Sequence, residues 1–404
     1  MKILIVSEDI PHGSMGGLAQ HALALARALE GAGHSVDILG NGVVPYDTVS
    51  ATTRHHGSFI SGIEGHLIGW KESQLGFFNP YKRTLIAQRI SKAITSIAPE
   101  YDVIHYHGHY PEVANYIAQS VNFVQTRHDQ GGDCLINTRL RDGQICTSIE
   151  PETCASCINQ QPNVLQRAIS SHTVVKHRKA TSTAYQRHKT IFVSECLIRN
   201  HKRVSGTEHP GVVIHNFIDY ESIRHKVLSI HEDCVKDRFV LVPGKLYAPK
   251  GVADFLRSIR DKIPDGLSIV IAGDGPDEHV LRQSYADDRI RFLGWMDYIE
   301  LLRYAIRACA IVVPSIWEEP CATTILESLA LGKQTFALNR GGTPELTRYA
   351  RYQGQLVLAN SMDMLTEIIM EYDLHRPERH QNLPEDFSGD VKQRLAQIIE
   401  VYQS

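Results

Sequence analysis

The sequence lacks several features that would place it in a specialised class of protein. No stretch approaches the ~18 consecutive apolar residues that a membrane span requires, and the apolar run at residues 3–6 is too short for a signal peptide. A formal net charge of −3 gives no reason to expect nucleic acid as the partner of the whole molecule. No internal repeat or low-complexity tract stands out. We therefore expect a cytoplasmic globular protein, whose eight cysteines stay reduced.

The chain is long enough for two domains of about 200 residues each. Short apolar runs alternate with stretches of helical spacing in both halves, and this alternation predicts an α/β fold with parallel sheets. A helix is predicted over residues 18–32, between strands at 3–6 and 36–39. Residues 40–80 have weak periodicity, which predicts loops or a small insertion in place of regular elements. The predicted strands lie at 3–6, 36–39, 103–104, 121–124 and 190–193 in the first half, and at 240–242, 269–271, 311–313 and 335–338 in the second.

Two glutamates, Glu319 and Glu327, frame the segment that follows one of these strands. Ligands bind outside the carboxyl ends of the strands in open α/β sheets. A carboxylate there can accept hydrogen bonds from two hydroxyls, as a sugar or ribose requires. The alternative is an acid in a surface loop and another in a first helical turn, where the helix dipole favours it.

The context of this pair resembles a known family. The runs that carry the resemblance are 240–252 (VLVPGKLYAPKGV), 268–276 (SIVIAGDGP), 290–295 (IRFLGW), 314–327 (PSIWEEPCATTILE) and 341–345 (GGTPE). In this order they resemble the donor-binding domain of the family-4 retaining glycosyltransferases, which have the GT-B fold. That fold has two Rossmann-like domains whose parallel sheets face each other across a cleft.

The resemblance implies the domain limits. An acceptor-side domain is expected at 1–217, with the hinge near 215–220 and a cysteine-rich insertion at about 130–160. The donor-binding domain is expected at 218–386. A last helix, from about residue 390 to 402 within the segment 387–404, would return to the first domain.

The resemblance also implies roles for residues on the donor side. Glu319 would bind hydroxyls of the donor sugar and Glu327 the ribose. The expected catalytic cations are Lys245 and Lys250, which would stabilise negative charge on the departing diphosphate. The alternative is that both are solvated surface lysines without a functional role. Glycines expected at the nucleotide-sugar site are Gly16, Gly17, Gly244, Gly275 and Gly294, with Trp295 beside the base.

Gly16 and Gly17 come directly before a predicted helix, where backbone N–H groups can bind phosphate. From the residues alone, a glycine turn without a ligand explains them equally well. The resemblance favours the donor diphosphate.

Histidines cluster around two predicted strands of the first half. His128 matches the active-site histidine of the family, near the donor sugar. His107 and His109 are candidates for the acceptor side, and Asp129 would orient the His128 ring or contact the acceptor. Any single histidine among 21 is more often a surface or core residue.

The chain contains no Asp-X-Asp, the pair with which glycosyltransferases of the other main fold hold a divalent ion. No catalytic Mg²⁺ or Mn²⁺ is therefore expected. Residues 321–324 (CATT) depart from the family's usual sequence, which leaves the sugar preference open.

Four cysteines fall within 24 residues and suit a structural zinc site better than an iron–sulfur cluster; four free thiols are the alternative. They are Cys134, Cys146, Cys154 and Cys157. Some members of the family carry a similar cysteine-rich insertion, which would stiffen a lid over the acceptor.

Residues 161–210 hold nine Lys or Arg against two Glu. Such a segment suits an anionic lipid or a lipid-diphosphate acceptor, and hence peripheral association with the inner face of the membrane. A solvated helical face is the alternative.

Together these features predict a retaining glycosyltransferase that moves a sugar from a UDP- or GDP-sugar, as co-substrate, to a hydroxyl of a glycan, lipid-linked or small-molecule acceptor. Cell-surface polysaccharide biosynthesis is the expected setting, and an aminoglycoside-like acceptor is the competitor. A GT-B nucleotide-sugar epimerase is a second hypothesis. A zinc-dependent binding module for nucleic acid or a protein partner is a third, which would leave the second half of the chain unexplained.

Overall fold

The computed structural model describes residues 1–11, 16–49, 54–63, 79–158, 164–208, 211–230, 238–372, 374 and 383–404. Two compact units are present, each built on a parallel sheet. The first unit comprises 1–141, 146–216 and 391–404, and the second comprises 142–145 and 217–390.

The sheet of the first unit has the strand order β3-β2-β1-β4-β5-β8-β9, with every neighbouring pair parallel. The strands of this half of the chain are β1 (Lys2–Val6), β2 (Ser35–Asn41), β3 (Phe59–Ile63), β4 (Val103–His107), β5 (Phe123–Arg127), β6 (Leu140–Arg141), β7 (Gln144–Ile145), β8 (Lys189–Phe192) and β9 (Val212–Val213). The helices are α1 (Gly17–Gly31), α2 (Asn79–Ile97), α3 (Pro151–Ile158), α4 (Val164–Arg187) and α5 (Glu195–Ser205).

The prediction that residues 40–80 lack regular elements is wrong in part. Strand β2 continues to Asn41, and Phe59–Ile63 forms β3, which pairs with β2 from the register Ile38↔Phe59 onward. An edge strand is held mainly by backbone hydrogen bonds along one side, so its side chains need not alternate clearly. Residues 50–53 and 64–78 of this segment lie outside the described residues.

The second unit repeats the plan with the strand order β12-β11-β10-β13-β14-β15, again all parallel. Its strands are β10 (Arg238–Pro243), β11 (Leu267–Ala272), β12 (Ile290–Gly294), β13 (Ala310–Val313), β14 (Thr335–Leu338) and β15 (Leu356–Ala359). The helices from here to the end of the chain are α6 (Tyr220–Ser229), α7 (Val252–Ile259), α8 (Glu278–Tyr285), α9 (Tyr298–Arg307), α10 (Thr323–Ala330), α11 (Met362–Glu371) and α12 (Val391–Gln403).

Burial explains why the strands are continuous apolar runs. Helices cover both faces of a parallel sheet, so the strand residues have no solvent side. Residues 3–6, 240–242 and 269–271 are buried in this way. Each unit has its own apolar core, which fixes the strand ends that carry the polar side chains described below.

Helix α12 belongs to the first unit, although it follows the whole of the second unit in sequence. Tyr402 of α12 lies next to His105 of β4, with its hydroxyl 2.8 Å from Nδ1, and its carbonyl accepts from Asn122 Nδ2 at 2.8 Å. The end of the chain therefore supports the sheet of the first unit. Among the described residues, no helix is both long and apolar enough to span a membrane.

Candidate active site

The carboxyl ends of the strands in the second unit are joined by loops that approach one another closely. Gly273 and Gly275 adopt positive φ values of 144° and 157° after β11. A Cβ on Gly273 would lie 2.0 Å from the Gly244 carbonyl oxygen, and one on Gly275 would lie 2.2 Å from that of Leu246. Only glycine allows this approach, so the segments after β10 and β11 pack backbone against backbone.

Glu319 and Lys250 form an ion pair in this region. Lys250 Nζ lies 2.9 and 3.0 Å from the two Glu319 carboxylate oxygens. Trp317 Nε1 donates to Glu319 Oε2 at 2.8 Å, and Lys250 Nζ lies 5.7 Å from the centroid of the Trp317 ring. Burial acts to lower the pKa of Lys250, but the neighbouring Glu319 carboxylate outweighs burial and raises it. Lys250 is therefore a cation held close to a nearly buried carboxylate.

The backbone around this pair is fixed by two glycine-dependent contacts. Gly251, at φ 70°, lies against the Pro314 carbonyl, which a Cβ would approach to 2.1 Å. Gly342 N donates to the Glu319 carbonyl at 2.7 Å, and Gly341 adopts a φ of 56° where a Cβ would lie 2.5 Å from the same oxygen. The segments that carry Lys250 and Glu319 are thus held at fixed positions before any ligand binds.

Glu327 lies on α10, which begins at Thr323. The side chain accepts a hydrogen bond from the Tyr298 hydroxyl. Burial raises the pKa of Glu327 to about 7, and the Tyr298 bond and the charge of Lys226 oppose this rise. Lys226 Nζ lies 5.2 Å from the centroid of the Tyr298 ring. Glu327 therefore changes charge near neutral pH.

The remaining predicted residues of the second unit line the same edge of its sheet. Lys245 is exposed, after β10. Gly244 and Gly294 adopt positive φ values of 135° and 76°, and Gly273 N donates to the Gly294 carbonyl at 2.9 Å. Trp295 is 63% exposed, so its ring is open to a ligand.

In the first unit, Gly16 and Gly17 begin α1, which has no acidic side chain in its first turn. Both glycines are exposed, and a Cβ on Gly16 would meet nothing within 4 Å. Packing within the chain therefore does not require glycine at position 16. Residues 12–15 of the same loop lie outside the described residues.

His128 follows β5 and has partners at both ring nitrogens. Nδ1 lies 3.1 Å from Asn216 Oδ1, and Nε2 lies 3.1 Å from His107 Nδ1. Burial and the charge of Arg127 lower the pKa of His128 to about 3. The imidazole is neutral at physiological pH, so it can orient a ligand by hydrogen bonding but is not a cation.

His107 and His109 lie in different environments. His107 is the last residue of β4 and is fully buried, whereas the His109 side chain is 38% exposed. His109 Nδ1 lies 2.7 Å from Asp129 Oδ2, and its Nε2 lies 3.1 Å from Asp9 Oδ2. Partial burial acts to lower the pKa of His109, but these two carboxylates outweigh it and raise the pKa well above its usual range. Asp129 therefore orients His109. Among the residues that the structure describes, the Asp129 side chain makes no hydrogen bond to the His128 ring.

The four clustered cysteines lie on or near α3 and the segment before it. Arg178 Nη2 donates to Cys154 Sγ at 3.0 Å. Burial raises the pKa of Cys134 to about 11, and it raises that of Cys154 as well. Within the described ranges, no three of these sulfurs lie within 4.8 Å of one another. The zinc site therefore stays a prediction.

The basic segment 161–210 contains all of α4 and all of α5. Lys176 and Lys179 of α4 are exposed, as is Lys202 of α5, which is paired with Glu208. Arg178 is instead engaged with the Ile149 carbonyl and with Cys154. The segment is thus partly a solvated helical face, and its role in membrane contact stays a prediction.

The sequence analysis missed the side chains that position the predicted ones. Trp317 and Tyr298 bind the two glutamates, and Asn216 and His21 lie against His128. Tyr298 lies 29 positions from Glu327 and Asn216 lies 88 positions from His128, so no local pattern connects them. Trp317 was within the motif that identified Glu319, but its N–H reaches the Glu319 carboxylate only when the loop is folded.

Two family models match most of the chain, one in each half. The family model "Glycosyltransferase Family 4" matches residues 15–222, and "Glycosyl transferases group 1" matches residues 237–372. The chain is 22% identical over 370 residues to an uncharacterized glycosyltransferase of Methanocaldococcus jannaschii, covering 86% of this chain and 83% of the relative. It is 24% identical over 367 residues to a glycogen synthase of Mycobacterium tuberculosis, covering 85% of this chain and 80% of the relative.

Solved structures match the fold over the whole chain. Sucrose-phosphate synthase from Thermosynechococcus elongatus has a TM-score of 0.66 at 18% identity, covering 100% of this chain and 98% of that one. Anabaena HepE in complex with UDP-glucose has a TM-score of 0.62 at 17% identity, covering 99% of both chains. These likenesses confirm the predicted GT-B fold class. With a family model matched over more than half of its length, the chain belongs to glycosyltransferase family 4.

Proposed function

We propose that this glycosyltransferase moves a sugar, with retention of anomeric configuration, from a nucleotide-diphosphate sugar to a hydroxyl of an acceptor. The single observation that carries the proposal is the ion pair of Lys250 with Glu319. A cation and a carboxylate in fixed contact can serve the two different parts of such a donor: the diphosphate and the sugar hydroxyls.

The proposed chemistry places the growing negative charge on the diphosphate as the bond to the sugar breaks. Lys250 and the exposed Lys245 would stabilise that charge, because preorganised cations at developing charge are usually the largest single catalytic term. Their Coulomb attraction is greatest where water is excluded. Glu319 would accept hydrogen bonds from sugar hydroxyls, and Glu327 would accept them from the ribose.

The first unit would contribute contacts of its own. The backbone N–H groups at Gly16 and Gly17 suit an oxygen of the diphosphate. His128 would contact the donor sugar, which requires one of its two present hydrogen bonds to be exchanged. Retention would follow from attack of the acceptor hydroxyl on the same face that the diphosphate leaves, with a phosphate oxygen taking the proton. No step in this proposal uses a divalent metal.

The acceptor that we favour is a lipid-linked or glycan hydroxyl of a cell-surface polysaccharide pathway. The exposed lysines Lys176 and Lys179 of α4 support it, because they suit an anionic lipid surface. A small-molecule, aminoglycoside-like acceptor is the alternative. UDP-glucose is the first donor to test, because HepE, a similar structure, was solved with it.

A thermal-shift screen of the purified protein tests the donor site. We expect one of UDP, GDP, ADP and dTDP, or one of their common sugar conjugates, to stabilise the fold specifically, by about 2.7 kcal/mol at 100 times its Kd. The variant Glu327→Ala should lose this shift. The matched control is Glu367→Ala, an exposed glutamate on α11, which should keep it. If no nucleotide changes the melting temperature at millimolar concentration, the proposed donor site is wrong.

The ionisation of Glu327 predicts a pH dependence of nucleotide binding. Since the pKa of Glu327 is raised to about 7, less than half of the side chains are ionised at pH 6 and most are at pH 8. If the carboxylate binds the ribose hydroxyls, the affinity for the stabilising nucleotide should rise about tenfold between pH 6 and 8, following the ionised fraction. Calorimetric titrations at several pH values measure this slope.

The variant Glu327→Gln provides the comparison for that titration. An amide of the same shape does not ionise in this range, so the remaining pH dependence should be that of the nucleotide phosphates alone. A wild-type slope equal to that of the variant would exclude the ribose role for Glu327.

A further inference from the structure

Three histidines of the first unit bring their ring nitrogens together. Among the described residues, His21, His107 and His128 are the only group of three or more potential metal-ligand side chains whose ligand atoms all lie within 4.8 Å of one another. The three come from different elements: α1, β4 and the segment after β5. The His21 ring centroid lies 4.7 Å from that of His128 and 5.4 Å from that of His107.

The hydrogen bonds of the group determine where its lone pairs lie. The amide oxygen of Asn216 can only accept, so the Nδ1 of His128 carries the proton and its Nε2 carries the lone pair. His107 Nδ1–H therefore donates to His128 Nε2 at 3.1 Å. This leaves the lone pair on His107 Nε2, a fully buried atom with no hydrogen-bond partner. A buried nitrogen without a partner calls for an explanation.

The spacing of these nitrogens suits a divalent transition metal. Tetrahedral zinc, with Zn–N bonds of about 2.0–2.1 Å, holds two ligand nitrogens about 3.3 Å apart. The 3.1 Å between His107 Nδ1 and His128 Nε2 is already close to that value, and these two nitrogens become the ligand atoms once the His107 proton moves from Nδ1 to Nε2. Neutral imidazole is the form that binds metal, and both His21 and His107 are buried, which disfavours the charged form of each ring.

The surroundings hold one of the three rings as metal sites usually do. The Nδ1–H of His128 donates to Asn216, the outer hydrogen bond that commonly orients a ligating imidazole. The ring centroid of His105 lies 4.0 Å from that of His107, with the two rings tilted, and His105 uses one nitrogen with Tyr402 and the other with Thr126. His105 is therefore a rigid neighbour of the group, while His128 lies at its less buried side.

We propose that His21, His107 and His128 form a binding site for a zinc-class divalent metal ion, with three imidazole ligands and a fourth position open at the His128 side. Binding replaces the His107–His128 hydrogen bond with one metal–nitrogen bond from each ring, while the His107 proton moves from Nδ1 to the unpartnered Nε2; no oxidation state changes. The site differs in ligands from the predicted cysteine site, which would bind zinc through sulfur.

A metal at this site inhibits sugar transfer. This consequence rests on the proposed function, in which His128 must exchange a hydrogen bond to contact the donor sugar. A metal-bound His128 cannot make that exchange. The proposed site is thus a regulatory one, and the metal competes with the donor sugar rather than assisting the reaction.

X-ray absorption spectroscopy of the full-length protein with one equivalent of Zn²⁺ tests the ligand set without any substitution. We expect a nitrogen shell at about 2.0–2.1 Å with the multiple scattering of imidazole. Samples in which Cys154 and Cys157 are replaced by serine should retain this spectrum. Absence of tight binding, or a shell made only of sulfur at about 2.3 Å, would overturn the proposal.

Variants then assign the ligands by equilibrium dialysis against Zn²⁺. His107→Phe and His21→Asn should each weaken binding by about 100-fold or more, because loss of an outer partner alone costs 10- to 100-fold. His172→Phe, at an exposed histidine of α4, is the matched control and should bind like the wild type. Circular dichroism shows whether each variant is folded, and the spectroscopic result decides the matter if one is not.

The inhibitory part is measured separately. Transfer from the donor found in the thermal screen should fall with Zn²⁺ at the same midpoint as binding, and a chelator should restore it. Binding without inhibition would overturn the regulatory role while the metal site stands. Failure to find any donor would count against the proposed function and leave the spectroscopic result unaffected.

Discussion

Replacing Lys250 by methionine is expected to lower kcat/KM for sugar transfer by about 100- to 1,000-fold. The reason is that Lys250 is a cation held within 3.0 Å of Glu319 in the loops where the donor is proposed to bind. Removing one preorganised group that stabilises developing charge costs about 10² to 10³ in rate. Methionine keeps the length and apolar stem of the side chain, so the fall in kcat/KM measures the contribution of the positive charge. Steady-state transfer assays with the donor from the thermal screen measure it.

Two comparisons make this result interpretable. Lys92→Met removes an exposed lysine of α2 and should leave transfer within twofold of the wild type. The double variant Lys250→Met, Glu319→Gln should lose less than the sum of the two single losses in free energy, because the two side chains touch. Full activity in Lys250→Met would refute the proposed role of the ion pair. A melting curve separates a catalytic loss from unfolding, since the buried Glu319 loses its partner.

Replacing Glu112 by alanine is expected to destabilise the first unit by about 3–5 kcal/mol. Arg83 Nε lies 2.9 Å from Glu112 Oε1, and His177 Nδ1 lies 2.8 Å from the same oxygen. The side chains of Arg83 and Glu112 are only 1% and 6% exposed. Deleting the carboxylate leaves a buried guanidinium without its counter-charge, which is the costly way to break such a pair. Urea unfolding at pH 7 measures the difference.

An exposed ion pair of the same unit provides the control. Lys2 and Glu100 are 3.4 Å apart with side chains 40% and 63% exposed, so Glu100→Ala should cost about 0–1 kcal/mol. Equal losses in the two variants would show that burial does not set the energy of the Glu112 pair.

The contribution of Glu112 to the free energy of unfolding should also depend on pH, and it should fall as the pH falls. Arg83 and His177 hold the pKa of Glu112 well below its usual range, although burial opposes this. A depressed carboxyl pKa stabilises the fold at pH values above the unfolded pKa of about 4.3. That stability is lost as the pH falls toward the folded pKa. The difference between wild type and Glu112→Ala should therefore shrink below about pH 4.

Local patterns were enough to predict most of the fold. The strands at 3–6, 240–242 and 311–313 are continuous buried runs bounded by loops, and the structure has strands at all three. The edge strand β3 was missed because a strand with one neighbour and an exposed side need not have a distinctive pattern. Its existence depends on the backbone of β2, which is more than 17 residues away in sequence.

In the candidate site, too, local patterns predicted some features and missed others. Glu319, Glu327, Lys245 and Lys250 were found because they recur at fixed positions beside strand ends and glycines in a family whose motifs are local. The contact between Lys250 and Glu319 was not predicted, because it joins segments 69 positions apart. A sequence motif identifies a side chain, but the charge state of that side chain depends on which other segments surround it.

The sequence by itself determined the alternation of strands and helices, the glycines at close backbone contacts and the family to which the chain belongs. These follow from periodicity and from steric limits that act over a few residues. Only the tertiary structure decided that Glu327 titrates near pH 7, that His128 is neutral and that three histidines meet. Burial and Coulomb interactions depend on distance in space, and sequence separation does not fix that distance.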